Sequence, residues 1–363
     1  RITTVSSFSS KEVQEWISKI NNLALVVDEA HNMGSDNRLT KLPIKAQYRL
    51  ALSATMDRYK DKEGSEALKQ YFGPNCISYS LKEAIGTYLA NYYYYPICCS
   101  YNDSEYRLFV ESNEQLNAVL SDPQQNKMTK MRAKNDYIEY SYTLNASMES
   151  KFDSLYHLMK DNTNLDHFLI YCGKTRVNDD GDFDNKSHSD SLKVIDKTAQ
   201  IVGMNGLGLK ISRITYRESA EDRRRILDEF DKGDTSGIIA ISCLDEGVDV
   251  PSIKSAIIMT SSDNPREYVQ RRGRVLRLYP GKKYATIYDM IVVPKKLSDV
   301  VSDSIYSGLE LKMLAKEIHR MKEFAVASLN PEDTDRILNQ ISDSYEIGID
   351  EIMEVYGEDY EQY

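Results

Sequence analysis

Residues 23–31 read Leu-Ala-Leu-Val-Val-Asp-Glu-Ala-His, an apolar run of five residues followed by two carboxylates and, after an alanine, a histidine. The run is bounded by Asn21 and Asn22 and shows no polar alternation, which is typical of a central strand of a parallel sheet, buried on both faces. Asp28 and Glu29 should therefore lie at the edge where open α/β sheets bind ligands. Two adjacent acids at a strand end predict a cation site, although they could also cap the next turn.

Two further stretches follow in a fixed order. Residues 50–55, Leu-Ala-Leu-Ser-Ala-Thr, form a second short apolar run that ends in small hydroxyl residues. Residues 270–277, Gln-Arg-Arg-Gly-Arg-Val-Leu-Arg, come after an interval long enough for another domain. Together with Asp-Glu-Ala-His at residues 28–31, these stretches resemble motifs II, III and VI of the superfamily 2 helicases and translocases, the DEAD/DEAH group.

A fourth stretch and two details refine the resemblance. Residues 243–251, Cys-Leu-Asp-Glu-Gly-Val-Asp-Val-Pro, contain the Gly-x-Asp-x-Pro core of motif V. Gly73 and Pro74, which end a predicted helix, and the form of motif VI resemble the XPB-like branch. RNA-directed members usually differ in motif VI, so the resemblance implies DNA as the nucleic acid.

The resemblance also implies the fold class and the division of the chain. We expect an α/β fold of two RecA-like domains with parallel sheets, the first N-terminally truncated, plus a C-terminal helical extension. The expected segments are residues 1–97, the C-terminal part of RecA-like domain 1 with motifs II and III; residues 98–150, an insertion or linker; residues 151–296, RecA-like domain 2 with motifs IV, V and VI; and residues 297–363, an acidic helical extension. The extension should pack on the second domain or dock a partner.

Composition excludes several classes of protein. Of the 363 residues, 41% are hydrophobic and 28% are charged, and no apolar run approaches the ~18 residues that span a membrane. The net charge of −10 argues against a wholly basic nucleic-acid binder, although a basic channel can exist within an acidic protein. The five cysteines lack metal-type or disulfide spacing, which predicts reduced thiols and a cytoplasmic location.

Local patterns predict the elements around the motifs. Residues 1–8 are rich in hydroxyls and predict a short strand, followed by a helix over residues 10–20. Residues 92–95 are four tyrosines, which favour a strand with side chains alternating between faces over a base-stacking platform. Residues 297–329 predict one long helical stretch.

The segment between the motor domains is the least regular part of the chain. Two helices are predicted around the polar stretch 121–136, which carries Lys127, Lys130, Arg132 and Lys134. This segment is either a DNA-contacting arm or a solvated linker, and the linker is favoured.

Roles for the acidic motif come from the resemblance. Asp28 should hold Mg²⁺ against the phosphates of ATP, usually through water. Glu29 should orient and deprotonate the attacking water, and His31 should couple the nucleotide site to motif III or motif VI. Ser53 and Thr55 of motif III should relay hydrolysis to domain movement.

The arginine motif should complete the nucleotide site. Gln270, Arg274 and Arg277 are spaced by four and three residues, which predicts one face of a helix. The resemblance makes the two arginines the fingers that stabilise the transferred phosphate, whereas the alternative is a solvated basic helix. Asp249 of motif V should bind the ribose side of ATP or the metal network, and Gly247 in the same nucleotide site should let backbone approach backbone closely.

Nucleic acid should be contacted mainly through its phosphates, and therefore with little sequence dependence. The candidate contacts are Thr3, Thr4 and Ser6 near the start of the chain and Lys174 in the motif IV region. The triplet that contains Lys174 is not a phosphate-binding loop, because position 168 is Phe where such a loop needs Gly.

One departure from the family pattern concerns the Walker A loop, which does not occur in the 363 residues. We therefore expect a truncated view of a complete enzyme. The predicted function is an ATP-dependent DNA helicase or translocase that uses ATP and Mg²⁺. The alternatives are an inactive helicase-like scaffold that binds nucleic acid or a nuclease partner, and a motor within a bacterial restriction or antiphage system.

Overall fold

The computed structural model divides the chain into two compact units. Of the described residues, 1–79 form unit 1 and 80–354 form unit 2. The structure describes residues 1–54, 56–58, 61–162, 165–173, 185–203, 206–215, 217–241, 250–260, 265–300 and 307–354.

Unit 1 is a small α/β unit around a parallel strand pair. Its elements are α1 (Val5–Phe8), α2 (Lys11–Ser18), β1 (Ala24–Val27), a 3-10 helix (Ala30–Gly34), α3 (Asp36–Leu39), β2 (Tyr48–Ala51) and α4 (Lys62–Phe72). β1 and β2 pair in parallel, with Ala24 opposite Tyr48 and Val27 opposite Ala51. The predicted strand before the acidic motif is thereby confirmed.

The prediction that β1 is buried on both faces, however, is wrong. Leu25 and Val27 pack against the apolar core of unit 1, whereas Val26 on the other face is 61% exposed. Leu50, which is opposite Val26 in the parallel register, is exposed as well. Among the described residues, β1 pairs only with β2, and the apolar core of the unit packs against only one face of this pair.

The first residues are helical, so the predicted strand over residues 1–8 is wrong. Thr4 is the N-cap of α1, and its Oγ1 accepts a hydrogen bond from Ser7 N at 3.2 Å. A hydroxyl that satisfies a free N–H at a helix start favours the helix over an extended chain. The next helix, α2, is confirmed, with Ser10 as its N-cap.

Unit 2 is built on a parallel sheet in the order β3-β8-β7-β4-β6-β5. Its strands are β3 (Asn91–Ser100), β4 (Phe168–Tyr171), β5 (Ile211–Ile214), β6 (Gly237–Ala240), β7 (Ser255–Ile258) and β8 (Tyr284–Val293). Its helices are α5 (Leu81–Ala84), α6 (Asp103–Ser121), α7 (Lys127–Ser147), α8 (Glu149–Asp161), α9 (Asn185–Val202), α10 (Ala220–Asp231), α11 (Pro265–Val275), α12 (Ser307–Ala325) and α13 (Pro331–Tyr345).

The central strands β4, β6 and β7 of unit 2 are buried on both faces. Phe168 and Ile170 of β4 belong to one apolar cluster, and Leu169 and Tyr171 belong to another. At the start of β6, an added Cβ on Gly237 would lie 2.1 Å from the Phe168 ring, so this close approach of strand and ring requires glycine. The α/β fold with a parallel sheet is thus confirmed.

The tyrosine stretch belongs to the sheet of unit 2. β3 pairs with β8 along its whole length, so this strand lies in the second unit although the sequence division places residues up to 97 in the first. Tyr92 and Tyr94 are fully buried, and Tyr93 and Tyr95 stack on the opposite face with ring centroids 6.4 Å apart. The alternation of faces is therefore as predicted.

The segment 98–150 is a packed helical hairpin rather than a linker. α6 and α7 contact each other, and Phe109, Val110 and Leu144 join the apolar cluster that also contains the Met148 side chain. The predicted polar connection is shorter than expected, because the structure continues α7 back to Lys127.

The C-terminal helices pack against β3 and β8. Leu314, Ile318 and Met321 of α12 share a cluster with Ile291 and Val293 of β8. The helical stretch predicted over residues 297–329 is interrupted, because a short 3-10 helix (Leu297–Asp299) is followed by Val300 in an extended conformation, and α12 ends at Ala325.

Two expectations from composition concern membrane spans and cysteines. Among the described residues, no helix combines the length and the apolar character needed to cross a bilayer. Cys76, Cys98, Cys99 and Cys172 are free thiols, and Cys243 lies outside the described residues.

Candidate nucleotide site

The chain turns sharply at Glu29, directly after β1. Asp28 is exposed, and its Oδ1 accepts a hydrogen bond from Glu29 N at 2.9 Å. Glu29 has φ 48° and ψ 48°, a left-handed conformation that costs a residue with a side chain on the order of 1–3 kcal/mol. The next residue, Ala30, donates its N–H to Leu52 O at 3.0 Å. The segment that follows β2 therefore holds the strained turn in place.

His31 connects motif II to motif III. Its Nδ1 lies 3.0 Å from Ser53 Oγ and 3.4 Å from Glu29 Oε2, and its side chain is 12% exposed. Because a hydroxyl can donate or accept, Ser53 can bond to either tautomer of the imidazole. The structure thus brings Glu29, His31 and Ser53 together through hydrogen-bonding atoms.

Arg58 holds the same turn through the main chain. Its Nη1 donates to His31 O, its Nε donates to Asp61 Oδ2 at 2.6 Å, and its N–H donates to Ser65 Oγ at 2.7 Å. Burial alone would raise the pKa of Asp61, but hydrogen bonds from Gly64 N–H and Arg58 lower that pKa below its ordinary value. Sequence reasoning gave Arg58 no role, and its position three residues after motif III was the available signal.

In unit 2, α11 carries most of motif VI, and the residues of the motif differ in how deeply they are buried. Arg271 and Arg272 are 2% and 4% exposed, whereas Gln270 and Arg274 are partly exposed. Gln270 and Arg274 are four residues apart in one helix and share a face, as the spacing predicts. Two buried arginines exclude the alternative of a solvated basic helix.

Arg277 lies beyond the end of α11, so its predicted place on the same helix face is wrong. It forms an antiparallel bridge with Leu89. Continuing the helix would require the N–H of residue 280 to donate to Leu276 O, and Pro280 has no N–H. Ala90 N donates to Leu276 O instead, at 2.7 Å.

The other candidate residues are dispersed. The hydroxyl of Thr4 is occupied as a helix cap, lying 3.2 Å from Ser7 N and 3.0 Å from Ser6 Oγ. Thr3 and Ser6 are exposed. Four predicted site residues lie outside the described residues: Thr55, Lys174, Gly247 and Asp249.

Asp28 fits the type of metal site that Mg²⁺ uses beside phosphates. Mg²⁺ keeps several waters and takes one or two carboxylates plus substrate phosphates. An exposed carboxylate at the end of a parallel strand meets this requirement. In the described part of the chain, no group of three or more His, Cys, Asp or Glu side chains could form an all-protein metal site.

Comparison with known proteins shows which helicases this chain resembles. Residues 150–279 match the helicase conserved C-terminal domain. The DNA 3′-5′ translocase XPB2 of Sulfurisphaera tokodaii is 26% identical to this chain over 269 residues, which are 70% of the chain and 55% of that protein. The chain is thus similar to a helicase C-terminal domain over residues 150–279 and to an XPB-type DNA translocase over most of its length.

The chain spans little more than half the length of the Sulfurisphaera relative. The putative helicase 22 of a Sulfolobus islandicus filamentous virus is 25% identical over 100 residues, which are 28% of this chain and 18% of the viral protein. Among solved structures, the match to the Pyrococcus furiosus Hef helicase domain covers 79% of this chain and 75% of the Hef chain, with a TM-score of 0.42 and 16% sequence identity.

Proposed function

We propose that this chain functions in an ATP-dependent DNA helicase or translocase, in which ATP hydrolysis drives movement along a duplex or opens it. The observation that carries the proposal is the turn after β1. Glu29 is held in a strained backbone conformation, with its carboxylate 3.4 Å from His31, and His31 contacts Ser53 at 3.0 Å. A carboxylate linked in this way can accept a proton from water. A change in its position can also alter the contact between His31 and Ser53 in the next motif.

Within the proposal, each side chain has one task in phosphoryl transfer. Glu29 accepts the proton of the attacking water, as a general base does. Asp28 would hold Mg²⁺, which when bound neutralises negative charge on the phosphate oxygens. Arg274 and Arg277 supply positive charge to the transferred phosphate, a contribution of ~10³ to 10⁵ in rate for such arginines.

Coupling to movement follows from hydrogen bonds in unit 1. A shift of the Glu29 carboxylate alters the position of His31, and His31 passes the change to Ser53. Ser53 lies directly after the segment whose Leu52 carbonyl accepts from Ala30 N. The side-chain and main-chain links therefore join the same two segments.

DNA is the proposed track because the Sulfurisphaera relative is a DNA translocase and motif VI has the DNA-type form. Contacts from hydroxyls such as those of Thr3 and Ser6, and from Lys174, reach phosphates and carry little sequence information. A nuclease or other subunit beside the motor stays a prediction from the resemblance. Co-purification of a nuclease subunit with the full-length protein would support it.

The test is the ATPase rate of the full-length protein and its Glu29→Gln variant, with duplex, forked and single-stranded DNA and a matched RNA. Glu29→Gln keeps the side chain's size and removes the base, so the stimulated kcat should fall at least ~100-fold. Glu12→Gln, an exposed acid of α2, is the matched control and should keep the parent's rate.

Three outcomes would contradict the proposal. An intact protein that binds nucleotide but hydrolyses none with any nucleic acid would be a helicase-like scaffold. A Glu29→Gln variant as active as Glu12→Gln would remove Glu29 from the reaction. Stronger stimulation by the RNA than by every DNA would replace DNA as the track.

A further inference from the structure

A tight turn over residues 279–282 follows the arginine motif and brings the chain back to the C-terminal end of α11. Lys282 N donates to Tyr279 O at 3.0 Å, Pro280 occupies the second position of the turn, and Gly281 has φ 81°. These features define a type II turn, in which the third position requires a positive φ and favours glycine. The turn delivers Lys282 to the end of α11.

The side chain of Lys282 is buried and binds three main-chain carbonyls. Its Nζ donates to Val275 O at 2.5 Å, to Arg277 O at 3.1 Å and to Pro251 O at 3.2 Å. The residue is 8% exposed, whereas the neighbouring Lys283 is exposed. An ammonium has three N–H donors, and here each one has an acceptor.

These acceptors belong to two different motifs. Val275 is the last residue of α11 and Arg277 is the last residue of motif VI, whereas Pro251 ends the motif V sequence. The last carbonyls of a helix have no partner inside the helix and carry partial negative charge. A buried cation at this point therefore stabilises the helix end and joins it to the motif V segment.

We propose that Lys282 is a positioning residue for ATP hydrolysis, which fixes the main chain of Arg277 against Pro251 so that the arginines of motif VI meet the phosphate in a single arrangement. This inference rests on the function proposed above. It adds a residue that lies outside every motif and that itself contacts no substrate. The bridge between Arg277 and Leu89 fixes the same segment from the other direction.

The charge of Lys282 is compatible with this role. Burial lowers the pKa of the amine to about 8, so the group still carries its proton at neutral pH. The three carbonyl oxygens and the negative end of α11 favour the charged form. Lys282→Met keeps the stem of the side chain and removes all three donors.

The experiment compares Lys282→Met, Lys282→Arg and the exposed control Lys283→Met in the full-length protein. For Lys282→Met we expect kcat with DNA to fall about 10- to 100-fold, because a small displacement of a catalytic group has effects of this size. The KM for ATP should stay within about twofold, since ground-state binding is not removed. Lys282→Arg keeps a cation at the helix end and should recover part of the lost kcat.

Amide hydrogen exchange gives a readout that is independent of catalysis. In Lys282→Met, the amides of residues 272–279 should exchange at least about tenfold faster than in Lys283→Met, because the end of α11 has lost its anchor. A merely structural residue would lower stability without separating kcat from KM.

Three results would overturn the inference. An active Lys282→Met variant with the parent's kcat would do so while leaving the proposed function intact. Unchanged exchange over residues 272–279 would show that Lys282 does not hold the segment. A full-length parent without DNA-stimulated hydrolysis would overturn the proposed function and this inference together.

Discussion

Replacing Asn330 by alanine tests how the C-terminal helices are attached to the sheet of unit 2. Asn330 is 5% exposed and precedes α13. Its Oδ1 accepts from Tyr94 N at 2.8 Å, and its Nδ2 donates to Tyr94 O at 2.9 Å and to Asp333 Oδ2 at 2.8 Å. The side-chain amide therefore takes the place of a neighbouring strand along the edge of β3.

The magnitude follows from the two main-chain groups of Tyr94. Tyr94 is fully buried, so alanine at position 330 leaves one N–H and one C=O without their protein partner away from bulk water. Each buried group without a partner costs about 1–3 kcal/mol, which gives about 2–6 kcal/mol for the pair. For a domain of this size, even the lower value corresponds to a fall of at least about 4 °C in Tm.

The assay is urea denaturation followed by circular dichroism, with thermal unfolding as a second measurement. Asn117→Ala is the matched control, because Asn117 is an exposed residue of α6 and its loss should change the free energy of unfolding by less than ~0.5 kcal/mol. Asn330→Ala variants as stable as the Asn117→Ala control would refute the inference that Asn330 caps the edge of the sheet.

Two further predictions concern buried charges. Arg320 Nε lies 3.0 Å from Asp289 Oδ2, so Arg320→Leu leaves the buried charge of Asp289 without its cation and should lower the free energy of unfolding by ~3–5 kcal/mol. In urea denaturation, the control Arg225→Leu removes an exposed arginine and should cost at most ~1 kcal/mol. Equal costs for the two variants would contradict the prediction. Burial lowers the pKa of Lys151 from 10.5 to about 8, so between these pH values the unfolded chain binds more protons than the folded chain. The free energy of unfolding of the parent, relative to that of Lys151→Met, should therefore rise by up to ~1.4 kcal/mol per pH unit between pH 8 and 10. A difference that stays constant with pH would disprove this prediction.

Local sequence determined much of the fold class and all of the motif order. Ser219 with Asp222 three residues later predicts the start of α10, and in the structure Asp222 N donates to Ser219 Oγ at 3.1 Å. A signal of this kind works because both partners lie within one turn of the chain. The acidic turn was also found from sequence, since Asp28 and Glu29 directly follow an apolar run.

Only the tertiary structure decided which motif residues face the core and where the arginine helix ends. Arg272 is buried because its Nη1 lies 3.3 Å from Tyr92 Oη and donates to Glu323 O, partners that are 180 and 51 residues away. Sequence spacing does not distinguish it from the partly exposed Arg274.

The place of β3 was decided in the same way. Parallel strands are joined by long connections, and the pairing of β3 with β8 joins segments almost two hundred residues apart, as the bond from Tyr94 Oη to Asp289, 195 residues away, shows. Lys282 likewise gains its acceptors from Pro251 and from the end of α11. Local patterns specify which elements form, whereas burial and hydrogen-bond partners depend on segments that meet only when the sheet assembles.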